Sequence, residues 1–130
     1  MTVSFLSLVI GFKIIVTFVS VSRPFLFAPK PSLEELTEIT AHSDTFFRLY
    51  GVAITALLVG YASAFPTMWS GQFPWGIVLM GTVSNGGAAY VLLRHPTPGK
   101  LRSSAFLFGA IFVALLASMM MPQLAISPWF

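Results

Sequence analysis

Four stretches of the chain are apolar almost without interruption, Val3–Ser22, Thr45–Phe65, Gly76–Leu93 and Ser104–Ile126, and polar or proline-bearing segments separate them. Each is close to the roughly 20 residues that an α-helix needs to cross a hydrocarbon core about 30 Å thick. Continuous runs of this length suit helices, since a membrane strand would alternate apolar and polar positions over about ten residues. Pro122 interrupts the fourth run near its end. The pattern predicts an all-α, polytopic membrane protein folded as a single four-helix bundle over residues 1–130.

The segment RPFLFAPKPSLEELTEITAHSD between the first two runs reads differently. Ser32 and Glu35 have the spacing of a capping box, in which hydroxyl and carboxylate each satisfy an orphan backbone donor. Leu33, Leu36 and Ile39 follow at helical spacing, which predicts a short amphipathic helix over about 33–41 lying on the membrane surface. Glu34, Glu35 and Glu38 then form its solvated face and not a paired-carboxylate site.

Composition strengthens the membrane reading: 56% of residues are hydrophobic and 8% charged, against about 25% charged in an ordinary soluble domain. The N-terminal run lacks a basic flank and continues past Lys13 to Val21, longer than the roughly 7–15 residues of a signal-peptide core, so it is expected to be a retained span. With no cysteine in the chain, disulfides, thiolate metal sites and cysteine nucleophiles are excluded. The net charge of +3 comes from basic residues that are few, scattered and close to spans, which argues against nucleic acid as a partner.

Charge is distributed unevenly along the chain. Apart from Lys13, every charged residue falls in Arg23–Arg48 or Arg94–Arg102, which four antiparallel spans bring to one side, while Trp69, Trp75 and Trp129 fall on the other. Short basic loops stay cytoplasmic and Trp collects at the interface, so both termini are expected on the non-cytoplasmic side, in a bacterial inner membrane. Arg48, Arg94, His42 and His95 all belong to the charged interface. A tetrapyrrole takes its imidazole from within a span, so the two histidines are expected to make interfacial hydrogen bonds, and no metal or cofactor is predicted.

Small residues recur four apart at Ala56, Gly60 and Ala64, at Ser84 and Ala88, and at Ala110, Ala114 and Ser118. Such ridges let helices approach closely in lipid and are expected to form the bundle interior. Glycine in the SNGG stretch at 84–87 is expected to serve packing, not phosphate binding.

Lys13 is the exception within the spans. It lies nine residues from Ser22, about 13 Å along the helix and near the bilayer centre. Counting likewise places Thr55, Ser84 and Asn85 at the same depth. A charge there costs at least about 2.5 kcal/mol and normally faces the bundle or an aqueous cavity. One expectation is a structural polar cluster. The alternatives are contact with a bound lipid, quinone or pigment, contact with an acidic group on a partner subunit, or a shifted first span that brings Lys13 to the headgroups.

The segment FFRLYGVAITALLVGYASAF, with Arg48, Tyr50 and Gly51 as an R-x-Y-G start to the second span, resembles the corresponding part of DoxX-like small four-helix membrane proteins. The resemblance covers layout over most of the chain. It implies an accessory subunit of a membrane redox assembly and carries over no catalytic residue. With no nucleophile–base pair, phosphate loop or HExxH, no enzymatic activity is expected. The leading expectation is therefore a non-catalytic subunit of a larger bioenergetic complex, surrounded by lipid and other membrane subunits. The alternative is a small transporter or a lipid-, quinone- or pigment-binding protein that uses the Lys13 level.

Overall fold

A computed structural model describes residues 1–97 and 99–130. The helices are α1 (Phe5–Phe27), α2 (Lys30–Thr37), α3 (Thr45–Trp69), α4 (Trp75–Arg94), α5 (Gly99–Met120) and α6 (Pro122–Ile126). Among the described residues the fold is all-helical, and α1, α3, α4 and α5 are long and apolar enough to cross a membrane.

α1 begins with a reciprocal cap: the Ser4 hydroxyl accepts from the Ser7 N–H, and the Ser7 hydroxyl accepts from the Ser4 N–H. The helix runs five residues past the predicted end at Ser22. Pro24 has no N–H to close an ordinary turn, and the chain passes it through a wider turn over Phe18–Ser22 in which the Arg23 N–H reaches Phe18 O. α1 ends where Ala28 turns extended before Pro29, as residues preceding proline do.

The connecting helix also differs from expectation. α2 starts at Lys30, with Pro31 in its first turn, so Ser32 lies inside the helix and the Ser32–Glu35 capping box does not form. Glu34 instead accepts from the Ala41 N–H at 2.9 Å and pairs with Lys30 at 3.4 Å. Glu38, with φ of 56°, stops the helix in the left-handed region, short of the predicted residue 41. Leu33 and Thr37 are its buried face, and Ile39 lies beyond the helix and outside.

α3 loosens at Ser63, three residues before Pro66, and resumes to Trp69, past the predicted end at Phe65. α5 begins at Gly99 rather than Ser104 and ends at Met120, with Pro122 opening the separate α6. The ends of the chain meet: Trp129 N–H donates to Val3 O at 2.7 Å. Both termini and the α3–α4 turn thus occupy one end of the bundle, with the charged segments at the other.

The bundle is unequally packed along its length. The buried cluster of Leu6, Ile10, Leu58, Tyr61, Ala64, Met68, Phe73, Val78, Ile111 and Leu115, joined by Ala125 and Ile126, lies entirely in the half nearer the termini. Glycine makes part of this closeness possible, because a Cβ on Gly81 would stand 2.7 Å from the Tyr61 hydroxyl and 2.8 Å from Leu115 Cδ1. In the charged half α1 and α3 stay in close contact, but α3 parts from α4 and α5. A groove of about 970 Å³ runs there between α3 and the ends of α4 and α5, lined largely by Phe25, Ile39, Phe46, Phe47, Leu92 and Leu101.

The predicted ridges are only partly interior. Ala64 and Ser118 are buried and Gly60, Ser84, Ala88 and Ala114 half-buried, but Ala56 and Ala110 are exposed. A four-residue step turns through about 400°, so the row winds off the buried face after a turn or two. Gly86 does serve close packing: a Cβ there would meet the Phe112 ring at 2.6 Å, whereas Gly87 faces open space.

Candidate functional site

Lys13 belongs to the buried stripe of α1. Leu6, Ile10, Lys13 and Thr17 recur at helical spacing on the face turned to the other spans, and Lys13 is only 6% exposed. Its ammonium lies 4.8 Å from the centre of the Phe108 ring on α5, a separation at which the ring face attracts a cation. Among the described residues the ion pairs are Lys30–Glu34 and Asp44–Arg48, so Lys13 has no carboxylate partner.

α4 supplies the facing group. Asn85, 1% exposed, donates through Nδ2 to the Gly81 carbonyl at 2.7 Å and to the Tyr61 hydroxyl at 3.0 Å. Both amide protons are thereby used, and the Tyr61 O–H remains free to donate elsewhere. Asn85 Oδ1 is buried without a hydrogen-bond partner. An orphaned acceptor of this kind costs about 1–3 kcal/mol.

These groups share one chamber. Lys13, Thr17, Tyr61, Ser84, Asn85 and Phe108 line a cavity of about 60 Å³, with Val21, Tyr50, Ile54, Leu57, Leu58 and Ala88 completing the wall. At about 30 Å³ per water it has room for roughly two waters, or for a group of two or three heavy atoms. Its polar side offers ammonium, phenol and hydroxyl donors and one amide acceptor; the rest is apolar.

Of the four residues predicted to share the midplane, the structure gathers Lys13, Ser84 and Asn85. Thr55 is elsewhere. Its hydroxyl donates to Gly51 O at 2.7 Å and bonds the Ser22 hydroxyl, one to two turns nearer the charged end than Tyr61. Counting gave its depth, since Ile54 and Leu57 on the same helix line the chamber, but not its rotation, which turns the hydroxyl to Ser22. Tyr61 and Phe108 were missed: an aromatic residue in an apolar run gives no sequence sign that its hydroxyl or ring face meets a lysine from another helix.

The interface residues serve the fold at the charged end. Arg48 donates to Asp44 Oδ2 at 3.1 Å, to Phe25 O at 3.1 Å and to Ala28 O at 2.7 Å, satisfying carbonyls left open where α1 stops. Tyr50 packs edge-on against Phe25 at 5.0 Å, and a Cβ on Gly51 would come within 3.0 Å of the Phe25 backbone. The R-x-Y-G start of the span is thus a docking device that seats α3 against the end of α1. His42 lines the large groove, and His95 and Arg94 are exposed. Trp69, Trp75 and Trp129 are each about half exposed at the opposite end. Among the described residues no cluster of His, Asp or Glu has the makings of a metal site.

Tyr50 lines both the chamber and the groove, so this one side chain stands between the two spaces. The chamber lies where the closed half of the bundle ends, and the groove opens from there towards the charged surface. Comparison with known proteins matches the chain to no family model, no curated relative and no solved structure, so the geometry stands by itself.

Proposed function

We propose that the protein is a non-catalytic membrane protein that binds, in the Lys13 chamber, the hydrogen-bonding group of a small membrane-soluble molecule. One observation carries this reading: a buried cation without a carboxylate lines the same small cavity as Asn85, whose amide oxygen is buried without a donor. A purely structural polar cluster would be expected to pair its own members, because unpaired polar groups in hydrocarbon are costly. The chamber's size favours a terminal polar group over a pigment or a quinone ring. Its place at the foot of an apolar groove gives a bilayer molecule a way in.

The test is native mass spectrometry and solvent extraction of protein purified in mild detergent. Wild type is expected to carry a small molecule that Lys13→Met lacks, with the variant still accumulating, since methionine keeps the unbranched shape and removes a buried charge. Identical contents in the two proteins would leave the cluster as purely structural.

A second reading, an accessory subunit of a larger membrane assembly, is favoured by the exposed side of α3. Ala56 lies there between Val52 and Val59, which are 57% and 68% exposed, a flat strip that this chain leaves uncovered. Small residues of this kind suit close approach of another helix. Native gels of Ala56→Leu would show loss of a large complex if the strip is an interface and no change if it meets lipid.

A further inference from the structure

From the donors, the acceptor and the shape of the adjoining groove, we infer that the chamber's ligand is a long-chain carboxylic acid, its carboxyl group between Lys13, Tyr61 and Asn85 and its chain leaving past Tyr50 into the groove. The inference rests on the binding reading above and names the class of molecule bound.

The polar side of the chamber matches a carboxyl group atom for atom. Lys13 and the free Tyr61 O–H are donors for its two oxygens, and a turn of the Asn85 amide on binding would bring its unpartnered Oδ1 to the acid proton. Proton balance is the same by either route. A neutral acid beside a neutral amine, and a carboxylate beside an ammonium, hold the same protons and zero net charge. The pair thus relieves the uncompensated charge that makes a lone midplane lysine expensive. An alcohol or ester offers one oxygen position fewer or no proton, and a halide offers nothing to Asn85 Oδ1.

Size and surroundings decide the rest of the molecule. A chamber of about 60 Å³ admits a carboxyl group but not a phosphate ester with its glycerol or an aromatic headgroup. Beyond it the wall turns apolar at Val21, Ile54, Leu57 and Ala88. Beyond Tyr50 is a groove of about 970 Å³ whose wall is mostly apolar, with Phe46, Phe47, Leu92 and Leu101 among its residues, and includes Thr37, Thr40, His42 and Ser43 from the α2–α3 connection. That is near the upper end of the roughly 300–1,000 Å³ typical of small-ligand pockets, and apolar lining suits a single alkyl chain. A free short carboxylate would satisfy the chamber and leave the groove unused.

The probes are palmitate labelled with ¹³C at the carboxyl carbon, hexadecanol, methyl palmitate and acetate, each added to the full chain in nanodiscs. Palmitate is expected to bind with a shifted carboxyl resonance, and hexadecanol and methyl palmitate at least about tenfold more weakly. Lys13→Met is expected to weaken palmitate about 10- to 100-fold, and Tyr61→Phe, which keeps the ring, about 2- to 10-fold. Equal binding of hexadecanol or the ester would overturn the inference by showing that the carboxyl group is not read. Acetate binding as tightly as palmitate would overturn the long chain. If wild type carries another molecule that depends on Lys13 and palmitate does not displace it, the acid falls and the binding reading stands. If neither that molecule nor palmitate depends on Lys13, both fall; circular dichroism of each variant checks that it is folded.

Discussion

The half of the bundle nearer the termini and the half nearer the charged loops are built from similarly apolar helices, yet one shares a single packed core and in the other a groove separates α3 from the ends of α4 and α5. In the closed half, Leu6, Ile10, Tyr61, Val78 and Leu115 meet with almost no exposed surface, and the bare Gly81 lets α4 approach Tyr61. In the open half, Phe46 is 77% exposed beside the groove, and contact is concentrated where Arg48, Tyr50 and Gly51 seat α3 against α1. Apolar content therefore does not set tightness. In lipid no hydrophobic drive pulls helices together, and shape fit with a few polar clasps decides where they touch. The chamber lies near the boundary, with packed side chains to one side and Tyr50 between it and the groove on the other.

The largest effect expected is all-or-none and concerns which half faces which compartment. Single cysteines at Ser127 and Ser103 in the cysteine-free background should label from opposite sides of sealed cells, Ser127 from outside, because basic loops are retained in the cytoplasm. Labelling of Ser127 from the cytoplasm would invert the comparison and turn the groove outward.

Next is a matched pair of truncations. Leu115→Ala in the closed half should cost about 2–5 kcal/mol, since a fully buried side chain leaves a cavity. Leu101→Ala, beside the groove, should stay within about 0.5 kcal/mol. Reversible unfolding in mixed detergent measures both, and similar costs would mean that the two halves do not differ in packing. Arg48→Met should fall between them, at about 1.5–3 kcal/mol, through loss of charge-assisted bonds to Phe25 O and Ala28 O.

The smallest effect is in the α2 corner. The Ala41 N–H bond holds the Glu34 carboxyl below its ordinary value of 4.5, partly opposed by desolvation and helped by Lys30. A carboxyl with a depressed folded pKa adds stability that is present above its ordinary value and is lost as pH falls through the folded one. Amide exchange at Ala41 should therefore speed up, relative to its neighbours, as pH falls below the ordinary carboxyl value, after the intrinsic pH dependence is removed. Glu34→Gln should abolish that change.

Much of this was legible in the chain, but at different levels. The four spans could be found because backbone groups in lipid must bond within their own helix, which makes span formation a local property of about 20 apolar residues. Their ends were less legible. The first and second spans, expected to end at Ser22 and Phe65, run on to Phe27 and Trp69, because a widened turn at Phe18–Ser22 and a slackened one at Ser63 carry the helices past Pro24 and Pro66. The Ser32–Glu35 pair had the right spacing for a cap, but Pro31 in the first turn started α2 earlier and gave Glu34 the backbone bond instead.

Lys13, Ser84 and Asn85 could be grouped from sequence because depth along a helix is a matter of counting at 1.5 Å per residue. Rotation about the axis and the neighbour met on that face are not. Whether Ala56 or Leu58 points inward, whether Thr55 turns to Ser22 or to Lys13, and whether the Tyr61 hydroxyl reaches Asn85 depend on how helices distant in sequence lie against one another. The sequence alone determined an all-helical chain with four helices long and apolar enough to cross a membrane and with its charges gathered in two segments, all consequences of local hydrogen bonding and transfer energy. Only the tertiary structure decided that α3 packs with α4 and α5 in one half and parts from them in the other, and that the lysine without a carboxylate lines one cavity of about 60 Å³ with Tyr61 and Asn85, because those facts arise from contacts between helices and not from any one of them.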